Sequence, residues 1–449
     1  MTEFSVSQFG ARFAVDSGIL ELMEDLDLAL NRAPGGPEYL MLGGVNPGRI
    51  PEIETYLRGQ FEALLRDGDR LERMLGIYDH PQGSREFLAA VAGLLRAECG
   101  WEVDESNIAL TNGSQSSFFQ LFNLFGGLSA SGRLRKILLP ITPEYIGYSD
   151  TTIVPDLFES LRPRIECVDE TGPAGSVARK FKYHLDFNAL EARLSAAHAS
   201  SAGSEIGALC ISRPTNPSGN VLGDASLARL SARASKSGVP LIVDCAYGLP
   251  FPGIDFTDSR PFWNPDTTVT LSLSKFGLPG VRTGIVVARP EIAAALRRMN
   301  AVMNLTVGGV GPALARDMVR SGEIVRLSRS IVAPFYKQKS AAAVAAFHEL
   351  FADLPGCRVH QNEGAFFLWL WFADLPMDTT ELYRRLKARG VLVVPGRYYF
   401  PGCDVSTESG GWRHPFECIR VSYAQPESVV RTGLERIAEE VRAAYGKIS

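Results

Sequence analysis

Nothing in the 449-residue sequence approaches the run of about 18 apolar residues that a membrane-spanning helix needs. The first residues, MTEFSVSQFGARF, have no basic segment followed by an apolar one, so no secretory signal is expected. A surplus of positive charge is also missing. Lys and Arg number 46 against 50 Asp and Glu, a net charge of −4, which leaves no basic footprint for a nucleic-acid backbone. Six histidines occur without an HxxxH pair, and the seven cysteines (Cys99, Cys167, Cys210, Cys245, Cys357, Cys403 and Cys418) form no CxxC. Clustered ligands are what a zinc site requires, so no metal centre is expected. An odd, dispersed set of thiols fits reduced cysteines in the cytoplasm. Internal repeats and low-complexity tracts are absent too, and the most loop-like stretches are 198–205 and 403–411.

The chain is longer than one core usually serves, and its 45% hydrophobic and 21% charged residues are those of a globular protein, so two domains are expected. Strand-like runs at 136–139, 164–168, 206–211, 240–243, 269–271 and 285–288 alternate with helical patterns at 85–98, 115–125, 185–197, 225–237 and 291–303. That alternation predicts an α/β fold, a mostly parallel central sheet covered by helices. Beyond about residue 311 the pattern changes to a long helical segment (323–351), short strands in AFFLWLWF, VLVVPG and CIRVSYA, and a last helix over 427–445. This reads as a smaller α+β domain made of 1–49 and 311–449, set against a large domain of 50–310.

Ligands of parallel α/β sheets sit beyond the carboxyl ends of the strands, and the polar residues there form a set. ISRPTNPSGN carries Asn216; LIVDCAYG carries Asp244 and Tyr247; TLSLSK ends on Ser272, Ser274 and Lys275, with Arg282 following. ALTNGSQSSFFQLF passes through Gly113 into a helix whose first turn holds Ser114, Gln115 and Ser116. Singly, each is ordinary: a helix cap, a β-turn, a solvated lysine. Together they meet the needs of pyridoxal phosphate. Its aldehyde takes a desolvated lysine as a Schiff base, and its ring nitrogen needs a carboxylate. Its phenolic oxygen needs donors such as Asn216 and Tyr247. Its phosphate suits a glycine-led helix start with hydroxyls and an arginine: Gly113, Ser114, Gln115, Ser272, Ser274 and Arg282.

The series NGS, PEY, PTNPSG, DCAY, SLSK and R resembles the fold-type I pyridoxal-phosphate aminotransferases of the aspartate aminotransferase class across nearly the whole chain. The resemblance implies roles. Lys275 would carry the cofactor and then move the substrate proton. Asp244 would face the ring nitrogen, Asn216 and Tyr247 the phenolic oxygen, and Tyr145 would stack on the ring. Arg420, in ECIRVSYA, would grip the substrate carboxylate, and Gly44, in LGGVNPG, would let backbone approach the substrate. Tyr78 would reach the phosphate of a neighbouring subunit, which implies a homodimer. Arg282 follows Lys275 by seven residues, one fewer than in many members, and Gly277 and Gly280 lie between to adjust the turn.

Within the family, GGVNPGRIPEIE, PEYIGYSD, DCAYGLPFPGI and SLSKFGLPGVRTGI are most similar to members acting on valine and pyruvate. The expected reaction is transamination of an aliphatic L-amino acid with a 2-oxo acid, with L-valine and pyruvate as the pair. No second arginine is evident for a side-chain carboxylate, whose unpaired burial would be costly. The apolar Gly248, Leu249, Pro250 and Phe251 are expected to wall the side-chain pocket, with loop 395–402, including Tyr398 and Phe400, closing over it. Alternatives are a C–S β-lyase or an aminotransferase of other neutral amino acids on the same cofactor. A ligand-sensing regulator would normally carry a DNA-binding module ahead of the first motif, where fewer than about 50 residues stand.

Overall fold

The structure, a computed structural model, describes residues 5–11, 17–31, 38–171, 177–199, 205–403, 405 and 411–446. Residues 200–204, 404 and 406–410, the bulk of the two stretches read as loops, lie outside the described residues.

Among the described residues the larger sheet has eight strands. Thr267–Ser272, Leu241–Asp244, Glu205–Ser212, Leu134–Leu139 and Phe158–Ser160 run parallel in that spatial order. Antiparallel Gly284–Val287 joins Thr267–Ser272 to Ile108–Thr111, and Gly127–Leu128 is antiparallel on Leu134–Leu139. Alternate side chains of a strand face opposite sides, and here each side has its own core. Leu241 and Val243, with Leu209, Ile211, Val269 and Leu271, feed one cluster. Ile242, with Ala208, Cys210, Ile137 and Val286, feeds a second, closed by Phe118, Leu121 and Phe122 of the Ser114–Phe125 helix. Burial on both faces explains why these strands read as unbroken apolar runs.

The smaller sheet orders Val394–Pro395, Cys418–Ser422, Phe367–Phe372, Cys357–His360, Val177–His184 and Arg164–Thr171. Among the described residues its one parallel pair is Cys357–His360 with Val177–His184. The strand expected at 164–168 therefore exists but belongs to this sheet, as the outer half of a hairpin. Its exposed charges, Arg164, Glu166, Asp169 and Glu170, suit an exposed edge rather than a buried parallel strand. The long helical segment runs through Glu323–Leu327, a π turn at Ser328–Val332 and Ala333–Leu350. The widened turn falls just before Pro334, which has no N–H to give to the ladder.

Near the N-terminus, Gly18–Leu30 forms a helix capped by Ser17, whose hydroxyl accepts from Leu20 N–H at 3.3 Å. Two acidic residues fasten it to C-terminal elements. Buried Asp25 accepts from the Tyr383 hydroxyl and from Lys387 Nζ at 2.7 Å, and Glu21 accepts from the Tyr398 hydroxyl at 2.6 Å. Just beyond, Leu40–Met41 pairs in parallel with Val391–Leu392.

Replacing Asp25 by Ala strands the buried Tyr383 hydroxyl, at a cost of about 1–3 kcal/mol. Urea unfolding should record that loss, and amide exchange within Gly18–Leu30 should quicken more than in the parallel sheet.

Candidate active site

Strand register brings the expected residues together. Asp244 is opposite Ser212 on one neighbouring strand and Thr270 on the other, so two carboxyl ends finish level and the third strand runs two residues further, to Ser272. Lys275 follows in the tight turn Ser274–Phe276. Its ammonium donates to Val45 O at 2.7 Å and lies 5.5 Å and 5.8 Å from the ring centres of Tyr247 and Phe366. Burial foremost, then Arg420 and Arg282, push the Lys275 pKa down from 10.5 to about 7, with Asp244 opposing them.

Asp244 is held from three sides. It accepts from Ala246 N–H at 2.9 Å, from Tyr148 Oη at 2.8 Å and from Thr270 Oγ1 at 3.3 Å. Burial raises its pKa, while those three donors and Lys275 pull the other way. In sequence nothing separates Tyr148 from a core aromatic except its place three residues after Tyr145 in PEYIGY. It is wholly buried among Phe118 and Phe122, with only its hydroxyl committed to the carboxylate. One residue ahead of Tyr145, Glu144 is also wholly buried and accepts from both the amide and the hydroxyl of Ser212; burial pushes it up to about 8.

Arg420 lies in the middle of Cys418–Ser422, fully buried. Its guanidinium covers the Phe367 ring at 4.3 Å and donates to Asn216 Oδ1 at 2.9 Å and to Gly43 O at 2.5 Å. Gly44 therefore sits between two carbonyls, Gly43 O and Val45 O, that receive Arg420 and Lys275. Backbone acceptors of this kind leave no mark in side-chain chemistry, which is why only the glycine stands out in the sequence.

The corner expected to take a phosphate is assembled from separate elements. Gly113 adopts φ +88° before the Ser114–Phe125 helix, and a Cβ there would stand 2.2 Å from Arg282 Nη2. The shortened turn after Lys275 thus still delivers the guanidinium, through a φ of +128° at Gly277 and +49° at Arg282 itself. Ser114 Oγ is buried without a hydrogen-bond partner among the described residues. Ser272 Oγ accepts from Ser274 N–H at 3.0 Å. Gln115 spends its side-chain amide on Gly147 O at 2.7 Å, which leaves its buried Oε1 an acceptor unsuited to an anion. Its backbone N–H, in the first helical turn, remains for that purpose.

Tyr145 is half-buried and stands edge-on to Tyr148 at 5.4 Å; burial pushes its hydroxyl up to about 12. Tyr247 is packed edge-on against Phe366 and Phe367. Of the expected pocket wall, Phe251 is fully buried in the main core, and Gly248 is pressed so close to Arg213 O that a Cβ would stand 2.3 Å away. Tyr398 turns toward Glu21 of the N-terminal helix. Tyr78 is 79% exposed and lines a separate cavity of about 390 Å³ with Arg70, Arg73, His80, Arg85 and Arg316.

A model of the family "Aminotransferase class I and II" matches residues 173–437. The chain is 45% identical over 441 residues to the valine–pyruvate aminotransferase of Escherichia coli K12, covering 98% of this chain and 99% of that one. Among solved structures, the valine–pyruvate aminotransferase of Salmonella typhimurium LT2 superposes with a TM-score of 0.80 at 42% identity, over 95% of this chain and 99% of that one. A provisionally named amino-acid aminotransferase from Psychrobacter arcticum 273-4 gives 0.91 at 42% identity, over 99% and 100%. With a matching family model and a relative of this identity along its whole length, the chain belongs to the class I and II aminotransferases, enzymes that work with pyridoxal 5'-phosphate.

Proposed function

We propose that the protein transfers the amino group of L-valine to pyruvate, giving 2-oxoisovalerate and L-alanine, at the site built around Lys275. The full-length 45% identity to an enzyme named for that reaction carries the choice of substrates. The residues fit the cofactor: the unpartnered Ser114 hydroxyl, the glycine-opened helix and the Arg282 guanidinium suit its phosphate, and Asp244 suits its ring nitrogen. When bound, pyridoxal phosphate supplies a carbonyl for the amine and a ring that accepts electrons from Cα.

The side chains of this protein do the rest. Lys275, depressed to about 7, is about half uncharged at neutral pH and can take a proton from Cα and return it at the cofactor carbon. Asp244, braced by Tyr148, Thr270 and the Ala246 amide, presents negative charge to the ring nitrogen. Asn216 and Tyr247 serve the phenolic oxygen, and Tyr145 serves the ring face. Arg420 binds the substrate carboxylate in a planar fork, oriented by Asn216 and Gly43 O.

Two coarser features extend the reading. Tyr78, with exposed Leu75 (70%), Ile77 (60%), Val302 (87%) and Leu305 (65%), supports a homodimer in which Tyr78 enters the neighbouring site. Residues 1–49 and 311–449 would then close over 50–310 from within each subunit. Dispersed cysteines with no CxxC spacing suit a cytoplasmic location.

The decisive assay follows the visible absorbance of the holoenzyme, which L-valine should bleach and pyruvate restore; an unchanged band with valine would rule out this substrate. Lys275→Ala should still bind valine while turnover falls by about 100-fold to 10,000-fold, the range for losing a positioned proton carrier. Uptake of pyridoxal phosphate by the cofactor-free protein should speed up as pH rises, with a midpoint near 7 rather than 10.5, because only the neutral amine reacts. Mixing inactive Lys275→Ala and Tyr78→Ala subunits should restore activity if Tyr78 acts across the dimer, since a hybrid then holds one site with both residues intact.

A further inference from the structure

One polar group beside Arg420 has no place in the cofactor reading. Tyr399 ends the short turn Gly396–Tyr399 and is fully buried. The centre of its ring lies 5.4 Å from the Arg420 guanidinium, and its ring meets Trp369 edge-on at 5.5 Å. Its backbone carbonyl accepts from Glu144 N–H at 2.8 Å, which pins it across to the turn that carries Tyr145. Yet the Tyr399 hydroxyl has no hydrogen-bond partner among the described residues, and neither does Arg420 Nε. A buried hydroxyl left unpaired lowers stability, and phenylalanine would fill the same space without that penalty. Burial also pushes the hydroxyl well up, with Arg420 opposing and Tyr145 adding to the shift, so at neutral pH it is a donor.

We propose that Tyr399 is a substrate-binding residue whose hydroxyl donates a hydrogen bond to the α-carboxylate that Arg420 receives. The inference rests on the reading of Arg420 as the carboxylate site and adds a second contact to it. A carboxylate has about four lone-pair sites, more than one guanidinium fork fills. A phenol packed edge-on against Trp369, on a backbone whose carbonyl Glu144 N–H pins, is already restricted, so little freedom is lost when the acid arrives. Because the amino acid and the 2-oxo acid share this carboxylate, the contact serves both halves of the reaction.

The test compares wild-type and Tyr399→Phe holoenzymes, titrated with 3-methylbutanoate, which has the carboxylate and branched chain of valine but no amine, and followed by absorbance without turnover. The variant should bind it about tenfold or more weakly, the loss expected for one hydrogen bond to a charged group. Its KM values for valine and pyruvate should rise in step with kcat little changed, while its melting temperature and cofactor spectrum stay level or the melting temperature increases. Unchanged affinity for 3-methylbutanoate would overturn the proposal, as would a lowered melting temperature, which would reveal a protein partner for the hydroxyl. Failure of the wild type to bind 3-methylbutanoate would remove it together with the Arg420 reading. Tyr399-dependent binding by a wild type that does not exchange valine with pyruvate would uphold it while the substrate assignment fails.

Discussion

A carboxylate buried at the end of a parallel strand is the constraint around which the centre is built. Asp244 would be costly alone, and the fold offsets that cost with a hydroxyl from Tyr148, another from Thr270, an amide from Ala246 and the nearby charge of Lys275. Each partner fixes a different element. Thr270 sets the register of the next strand, Tyr148 ties in the turn after Leu134–Leu139, and Lys275 must lie within one turn of Ser272. Removing the carboxylate would leave the buried Tyr148 hydroxyl without an acceptor, so the residues stand or fall as a group.

A second tie comes from the N-terminal segment. The carbonyls of Gly43 and Val45 receive Arg420 from one sheet and Lys275 from the other. Arg420 sits on a strand of the antiparallel sheet and Lys275 just past the parallel one, so this loop joins both at the point of chemistry. Just before it, Leu40–Met41 pairs with Val391–Leu392, and earlier in the chain Asp25 binds Tyr383 and Lys387.

Much of this is legible in sequence, because a charge that ends a buried strand is costly unless a partner or a ligand meets it. Asp244 and Arg420 stand out as charges within apolar runs, Asn216 and Lys275 as polar groups just beyond them, and they do converge. Arg282 is readable as a residue, but its approach to Gly113 depends on a left-handed backbone that spacing does not reveal. Tyr148 looks like a core aromatic, which it also is. The strand at 164–168 belongs to the antiparallel sheet instead of the parallel one: its local pattern gives extended structure, while its partner, Val177–His184, leads onward to Cys357–His360, far along the chain. Gly43 O and Val45 O are backbone and belong to no pattern of residue types.

The electrostatic balance then says what the corner is waiting for. Lys275, Arg282 and Arg420 act on one another, as the lowering of Lys275 by both arginines indicates. Against them stand Asp244 and Glu144, but burial pushes Glu144 up to about 8, so at neutral pH it is mostly protonated and contributes little negative charge. Cations therefore outnumber anions in a space where charge is poorly screened. Lys275 relieves the excess by giving up its proton, which makes it a nucleophile and a base. An anionic phosphate near Arg282 and a carboxylate at Arg420 would relieve it further and let Lys275 hold its proton more tightly. The same imbalance that frees the amine for reaction thus favours the anionic ligands that the reaction uses, and the amine's basicity rises once they are bound.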